Sequence, residues 1–274
     1  MATKKNSTTL AKASAAELLP EDVDFDEMLE NLEEMDEIEF PRISFRQGKF
    51  FFSDDPDDKG VEEFEGVIFY YGKQNTYWEG SYDPNNIVPP VCSSVDGKQG
   101  SLGRNSDGAF GDCKNCIYNQ FGSGVGKGKA CRNQVKLYIQ RIGTTIPMTL
   151  FLAPTSIGNF MQGYLINKVA QKGLSYFKVV TTIKAYQKDK ETYFRVGFDI
   201  SSSFKDEDAE QVKKLRNFWM PAITSDRSRL DVPTGDDDSA SSSSTPSAGR
   251  AVEPRPVTPA NEIVDADEDE DPPF

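Results

Sequence analysis

The stretch CRNQVKLYIQRIGTTIPMTLFLAPTSIGNFMQGYLINKVAQKG, residues 131–173, predicts two β-strands followed by a helix. Val135, Leu137 and Ile139 alternate with polar residues, as in a strand that buries one face. A second apolar run covers 148–152, and Pro154-Thr155-Ser156 then marks the start of a helix. An apolar stripe at helical spacing runs along this helix up to Gly173. The stripe consists of Ile157, Phe160, Met161, Tyr164, Leu165 and Val169.

Alternating apolar residues predict further strands on both sides of this unit. They run from Phe40 to about Gly80, from Phe177 to Ala185 and from Phe194 to Ile200. A last helix is expected from about Asp206 to Trp219, ending before Pro221. The sequence therefore predicts a mainly β fold with a few helices, in the α+β class. A small closed β-barrel such as the OB-fold, with a helix between its third and fourth strands, fits this order, as do other small barrels.

Charge divides the chain into three parts, although its net charge is −13 overall. Residues 1–37 hold 11 acidic and 3 basic residues, and residues 231–274 hold 12 acidic and 2 basic. The body, 38–230, has 26 basic and 21 acidic residues. Basic bodies of this kind commonly bind phosphate backbones, although a solvated lysine-rich surface would show the same balance.

The two acidic ends differ in pattern. In the N-terminal arm, 1–37, apolar residues from Phe25 to Met35 predict an amphipathic helix. It would pack on its own domain, contact a neighbouring subunit or partner, or compete with nucleic acid for the basic body. The composition of the C-terminal tail, 231–274, predicts disorder. The tail ends in acids followed by Pro-Pro-Phe, which suits an apolar pocket rimmed by Arg and Lys.

The chain has no histidine, which removes the commonest general base and the Ser-His and Cys-His nucleophile pairs. The carboxylates form no constellation that stands out as an active site, so we expect a protein that is not an enzyme. Its apolar runs are too short to cross a bilayer, so we expect a soluble protein with no membrane partner.

All four cysteines lie in one glycine-rich insertion at about 90–132. Cys92, Cys113, Cys116 and Cys131 have the spacing C-x20-C-x2-C-x14-C. A segment rich in glycine has little side-chain surface to bury, so another interaction must order it. Four thiolates on one Zn²⁺ would do so, as a structural site with no open coordination position. An iron–sulfur cluster also takes four cysteines, and unrelated free thiols are the simpler alternative.

Tyrosines and cations interleave on the polar sides of the later strands. This mixture suits single-stranded nucleic acid, because aromatic rings stack on unpaired bases while cations follow the phosphates. The alternative is that these tyrosines pair across strands or cover barrel ends. The candidate nucleic-acid-binding residues are Lys127, Lys129, Arg132, Lys136, Tyr138, Tyr176, Lys178, Lys184, Tyr186, Tyr193 and Arg195.

An acidic tail that closes on Pro-Phe resembles the tails of bacterial and bacteriophage single-stranded DNA-binding proteins. The body resembles the zinc-containing phage members, which have an OB-fold with a cysteine-bearing insertion. The resemblance implies zinc binding by the four cysteines and recruitment of partner proteins by the tail tip. The tip residues are Asp267, Glu268, Asp269, Glu270, Asp271, Pro272, Pro273 and Phe274. Some zinc-containing members use a histidine ligand, which this chain lacks, and typical bacterial tips read Ile-Pro-Phe or Leu-Pro-Phe.

The sequence thus predicts a protein that coats exposed single-stranded DNA in replication, recombination and repair, in the cytoplasm of a bacterial host cell. Its tail would recruit replication or recombination proteins, and self-association is left open. The second hypothesis is a zinc-bearing interaction adaptor or transcription regulator that contacts proteins through both acidic ends.

Overall fold

A computed structural model of the protein describes residues 11–15, 18, 38–53, 58–79, 90–104, 110–189 and 191–227. The helix predicted within the N-terminal arm lies outside these residues. The same is true of the tail, 231–274, with its Pro-Pro-Phe tip.

The described residues form eleven strands and two long helices. The strands are β1 (Ala11–Lys12), β2 (Arg42–Arg46), β3 (Lys49–Phe52), β4 (Glu63–Tyr77), β5 (Cys92–Ser94), β6 (Gln99–Arg104), β7 (Phe110–Asp112), β8 (Arg132–Arg141), β9 (Met148–Leu152), β10 (Val179–Tyr186) and β11 (Arg195–Ser203). Helix α1 begins as an α-helix over Pro154–Gly158, continues as a π-helix over Asn159–Val169 and ends in a 3-10 turn over Ala170–Lys172. Helix α2 spans Asp206–Arg227.

One curled sheet carries the fold, with the strand order β1-β11-β10-β4-β8-β9-β2-β3. Strand β5 pairs with the end of β4, and β6 and β7 form a separate two-stranded sheet. Most neighbours are antiparallel, but β2 lies parallel to β9. An isolated bridge between Phe50 and Val61, with N–O distances of 2.7 and 2.9 Å, curls β3 back to the residues just before β4.

The inner face of this sheet is apolar because alternate residues of each strand point to the same side. Val135, Leu137 and Ile139 of β8 are fully buried there, as the alternation in the sequence predicts. Helix α1 closes this core with the side chains of Phe160, Tyr164, Leu165 and Val169. The strand–strand–helix unit predicted from residues 131–173 is therefore confirmed.

A second core lies on the outer face of the same sheet, beneath helix α2. Val67, Phe69 and Tyr138 contribute from β4 and β8. Helix α2 contributes Ala209, Val212, Leu215, Trp219 and Ile223. Ala13, Ala15 and Leu18 from the N-terminal arm also belong to this cluster, so the start of the arm is anchored on the body.

The hairpin of β2 and β3 turns tightly through Gln47 and Gly48, whose φ angles are both positive, at 52° and 75°. A two-residue turn of this kind matches the twist of the paired strands. A Cβ on Gly48 would lie 2.6 Å from the ring of Phe194, so the turn packs closely against the start of β11. The hairpin is therefore held at a defined position on the curled sheet.

The mainly β class with a few helices is confirmed, whereas the predicted end of the last helix is wrong. In the described part of the chain the strands form a curled path that closes through the Phe50–Val61 bridge. Helix α2 does not end before Pro221 but continues to Arg227. The packing of Trp219 and Ile223 extends the helix through a proline that disfavours it locally. None of the described helices is long and apolar enough to cross a membrane.

Replacing Trp219 by alanine should remove the largest fully buried side chain of the outer core. We expect the free energy of unfolding to fall by about 3–5 kcal/mol, measured by urea unfolding followed by far-UV circular dichroism. The matched control is N217A, at an exposed position of the same helix, which should change it by less than about 0.5 kcal/mol. Equal stability of the two variants would contradict the packing of α2 on the sheet.

Candidate nucleic-acid interface

A row of cations and aromatic rings crosses the outer face of β8, β9, β2 and β3, beside the part that α2 covers. These four strands are neighbours in the sheet. Their inward residues, such as Ile43, Phe50 and Leu150, fill the inner core, so the alternate residues point outward. We call this row the cation–aromatic stripe. It consists of Arg42, Arg46, Lys49, Phe51 and Phe151, and Lys136, which α2 covers, marks its buried end.

Short distances connect the members of the stripe. The Arg42 guanidinium lies 4.8 Å from the centre of the Phe151 ring, and Lys136 Nζ lies 5.2 Å from the same ring. One strand further along, the Arg46 guanidinium lies 4.4 Å from the centre of the Phe51 ring. These separations are in the range of cation–π interactions, so the stripe places positive charge directly beside aromatic surface.

Exposure rises along the stripe away from α2. Lys49 is exposed. The other accessible members are half-buried, namely Arg42, Arg46, Phe51 and Phe151. Half-buried rings keep part of their surface accessible to a ligand while their rotamers are restricted by neighbours. This is the arrangement that stacking on a flat ligand needs.

Lys136 and Tyr138 were predicted on an exposed binding surface, and this prediction is wrong. Both are buried beneath α2, and both donate hydrogen bonds of 2.7 Å to Asp226 Oδ2. The predicted alternation was right, but the outward face at this point is covered by a helix. Lys136 is thus neutralised by a buried ion pair, and Tyr138 is part of the outer core.

Arg195 and Tyr193, also predicted to bind nucleic acid, are joined in a local network. The Arg195 guanidinium donates to both carboxylate oxygens of Glu191, at 2.5 and 2.8 Å, and to the Tyr193 hydroxyl at 2.8 Å. Hydrogen bonds from Arg195 lower the pKa of Glu191, which is therefore ionised at neutral pH. Because this carboxylate already balances its charge, Arg195 is a poor candidate for a phosphate contact.

The remaining candidates on the late strands fall into two places. Lys178 lies 3.6 Å from Glu210, and Tyr176 packs against Tyr71 at the edge of the inner core, with ring centres 5.4 Å apart. Lys184 is exposed, and the Tyr186 ring lies over Gly197 on the neighbouring strand. Tyr186 pairs with Arg195 in the sheet, so Lys184, Tyr186 and Arg195 lie together at one end of β10 and β11.

The segments that carry the four cysteines lie near one another. Cys92 pairs in the sheet with Tyr77, whose ring stacks on Tyr118 at a centre-to-centre distance of 4.1 Å. The backbone N–H of Cys131 donates to the Tyr118 carbonyl at 2.8 Å. Tyr118 itself directly follows the Cys113–Cys116 turn in a 3-10 turn, Ile117–Asn119. The strand, the turn and the end of the loop therefore meet at one place.

Burial, together with smaller contributions from the thiols of Cys113, Cys116 and Cys92, raises the pKa of Cys131 to about 12. All four cysteines are free thiols. Within the described residues, however, no three cysteine or carboxylate side chains are grouped with the geometry of a formed metal site.

The basic residues that close the cysteine insertion lie in or next to its last loop. Lys127 is exposed, and Lys129 is half-buried and donates to Asn119 Oδ1 at 3.3 Å. Arg132 is the first residue of β8, four residues before Lys136 at the buried end of the stripe. The insertion and the stripe are thus connected by a single strand.

Arg42, Arg46, Phe51 and Phe151 belong to the candidate interface but are absent from the sequence-based prediction. A signal for them does exist, because Arg42 and Arg46 alternate with Ile43 and Phe45 along β2. The alternation identifies an outward face, but it does not reveal that β2 pairs with β9. That pairing joins residues more than 100 positions apart, for example Arg42 with Thr149.

Removing Asp226 should leave the Lys136 ammonium buried without its carboxylate. We expect D226A to lower the free energy of unfolding by about 3–5 kcal/mol, as typically follows when one partner of a buried ion pair is removed. Y138F removes one hydrogen bond only and should cost about 1 kcal/mol. Urea unfolding of both variants provides the measurement, and a D226A variant as stable as Y138F would contradict the buried ion pair.

No protein-family model, no curated protein and no solved structure matches this chain.

Proposed function

We propose that this protein binds single-stranded DNA and coats exposed strands during replication, recombination or repair, without enzymatic activity of its own. The observation that carries the proposal is the cation–aromatic stripe. Two rings, Phe51 and Phe151, alternate across neighbouring strands with Arg42 and Arg46, and Lys49 extends the stripe into solvent.

The chemistry of the stripe suits unpaired nucleotides. Stacking on an aromatic side chain stabilises a bound base by about 1–3 kcal/mol and tolerates any base, while nearby cations attract the phosphates. A duplex hides its base faces within the stack, so rings on a sheet surface gain little from it. The stripe therefore supports a preference for single strands over duplex and little dependence on sequence.

The order of the elements supports an OB-fold-like assignment for the body. Counting β4, β8, β9, β10 and β11 as its five strands puts helix α1 between the third and fourth. In OB-folds, nucleic acid binds on the second and third strands, beside the loop between the first and second. Here those strands are β8 and β9, and that loop is the cysteine insertion. Strand β9 carries Phe151, whereas Lys136 of β8 is buried in its ion pair with Asp226.

We also propose that Cys92, Cys113, Cys116 and Cys131 hold one structural Zn²⁺. The donor set fits, because four cysteine thiolates are a common tetrahedral zinc shell and leave no open position for a substrate. The proposal rests on the cysteine spacing and on the position of all four residues in one glycine-rich insertion. Bound zinc would order the insertion and hold its lysines close to the start of β8.

The tail would recruit replication or recombination proteins through Asp267–Phe274, in the cytoplasm of a bacterial host. This part of the proposal comes from the sequence pattern of the tail alone. The long acidic run suits a partner with a basic rim, and the Phe274 side chain suits an apolar pocket.

Fluorescence anisotropy with labelled oligo-dT and with a duplex of the same length tests the main proposal. We expect the affinity for oligo-dT to exceed that for the duplex and to fall with rising salt, because bound cations release counterions from the phosphates. Equal affinity for the two ligands would contradict the proposed function.

Variants of the stripe locate the binding face. F151A should weaken oligo-dT binding by about 1–3 kcal/mol, since it removes one stacking surface. R46A should weaken binding and lower the slope of log K against log salt by about 0.7, the contribution of one phosphate contact on a single strand. The matched control is K213A, which also removes one positive charge but from the exposed face of α2, where Lys213 pairs with Glu210. An equal effect of R46A and K213A would show that only net charge matters.

Substitution of the cysteines tests the metal site. We expect the purified protein to contain about one zinc ion per chain by metal analysis, and C113S or C116S to lose it. These variants should also bind oligo-dT less tightly, while far-UV circular dichroism shows that the sheet is retained. Unchanged metal content in both variants would show that the site is wrongly assigned.

A further inference from the structure

The loop that closes the cysteine insertion presents apolar side chains to solvent. Ile117 is 70% exposed, Phe121 is 82% exposed and Val125 is 96% exposed. Large apolar side chains of this exposure, grouped within nine residues, are unusual on a protein surface unless they contact something. Phe121 is the most distinctive of the three because it carries a planar aromatic face.

Backbone hydrogen bonds fix the shape of this loop. The N–H groups of Gly122 and Gly124 both donate to the Gly128 carbonyl, at 2.9 and 3.0 Å. The Ser123 hydroxyl accepts a hydrogen bond from Ala130 N–H at 3.0 Å and donates to the Gln120 carbonyl at 2.7 Å. The backbone that carries Phe121 is therefore fixed before any ligand arrives, which lowers the entropic cost of binding.

The surroundings of Phe121 are cationic and open. Lys129 Nζ lies 5.0 Å from the centre of the Phe121 ring, and Lys127 nearby in the loop is exposed. Residues 113–131 include Lys114, Lys127 and Lys129 and no acidic residue. Gly122, the next residue, has a positive φ of 89°, and a Cβ built on it would meet no atom within 4 Å apart from its chain neighbours, so the loop is open at this position.

We propose that Phe121 forms a second base-stacking site for the same single strand, with Lys127 and Lys129 contacting its phosphates. This inference rests on the proposed function. Strand β8 connects the two places, because Arg132 follows the loop directly and Lys136 marks the buried end of the stripe. Four residues of a β-strand span about 13 Å. A DNA strand that crosses Phe151 therefore has only a short distance to cover before it reaches the loop.

A nucleotide fits the loop better than a protein partner does. The pairing of a cation with an aromatic face, seen at Lys129 and Phe121, repeats the pattern of Arg42 with Phe151 and of Arg46 with Phe51. The apolar group is small and surrounded by glycines and lysines, which leaves little of the contiguous apolar surface found at the core of protein interfaces.

The second site predicts that affinity depends on the length of the strand. Oligo-dT of about four nucleotides should reach only the stripe, whereas about sixteen nucleotides, the upper end of the range bound by one OB-fold, should reach both sites. We expect F121A to weaken binding of the long oligonucleotide roughly 5- to 160-fold, the effect of one lost stacked base, and to leave binding of the short one unchanged. F121W keeps an aromatic face and should bind both lengths as the wild type does.

The control variant is V125A, which shortens the most exposed aliphatic side chain of the same loop without removing an aromatic ring. It should bind both oligonucleotides as the wild type does, and metal content and circular dichroism should be unchanged in all three variants.

Wild-type affinity of F121A for both lengths would overturn the inference while leaving the stripe intact. Parallel loss of self-association in F121A and V125A, measured by sedimentation with DNA binding retained, would identify a protein contact and also overturn it. Failure of the wild type to bind either length would overturn the proposed function itself.

Discussion

The parallel pairing of β2 with β9 is the contact on which the candidate interface depends. It places Arg42 opposite Thr149 and Ile43 opposite Leu150. In this register Ile43 and Leu150 both enter the inner core, while Arg42 and Phe151 both point outward. A shift of the register by one residue would reverse the faces of β2, burying its arginines and exposing Ile43 and Phe45. The apolar core therefore determines where the charged and aromatic side chains of the stripe stand.

Helix α2 sets the limit of the outer surface that a ligand can reach. Its apolar side covers Val67, Phe69 and Tyr138, and its last turn supplies Asp226 to Lys136. Desolvating a lysine and a carboxylate is unfavourable, and the gain in attraction offsets it only when further hydrogen bonds satisfy the pair. Tyr138 donates such a bond to the same oxygen of Asp226. The outer face is thus divided into a buried half under α2 and an accessible half along β9, β2 and β3.

Local pattern was sufficient to predict much of the fold. The period-two alternation of β8, the apolar run of β9 and the stripe of α1 all depend on residues close together in sequence, and the structure has them where the pattern indicates. Contacts between distant residues were not predictable in this way. The course of α2 through Pro221 depends on how Trp219 and Ile223 pack on the sheet. The burial of Tyr138 depends on the same helix, and the alternation of residues along β8 cannot predict it.

The candidate site likewise combines features that the local sequence predicts with features that depend on contacts between distant residues. The cysteine spacing predicts one shared metal site, and this stays a prediction, because within the described residues the cysteines are not grouped with the geometry of a formed site. The binding residues predicted on β10 and β11 were chosen by composition, and their ion pairs with Glu191 and Glu210 were not visible from local sequence. Phe121 was also missed, since a single phenylalanine among glycines has no periodic pattern, and only its 82% exposure distinguishes it.

Photochemical cross-linking of bound oligo-dT, followed by mass spectrometry of the cross-linked peptides, tests the central claim most directly. If the stripe is the binding face, the cross-links will fall on peptides that contain Phe51 and Phe151. Cross-links confined to the Tyr186 and Tyr193 region, with none on β3 or β9, would contradict it.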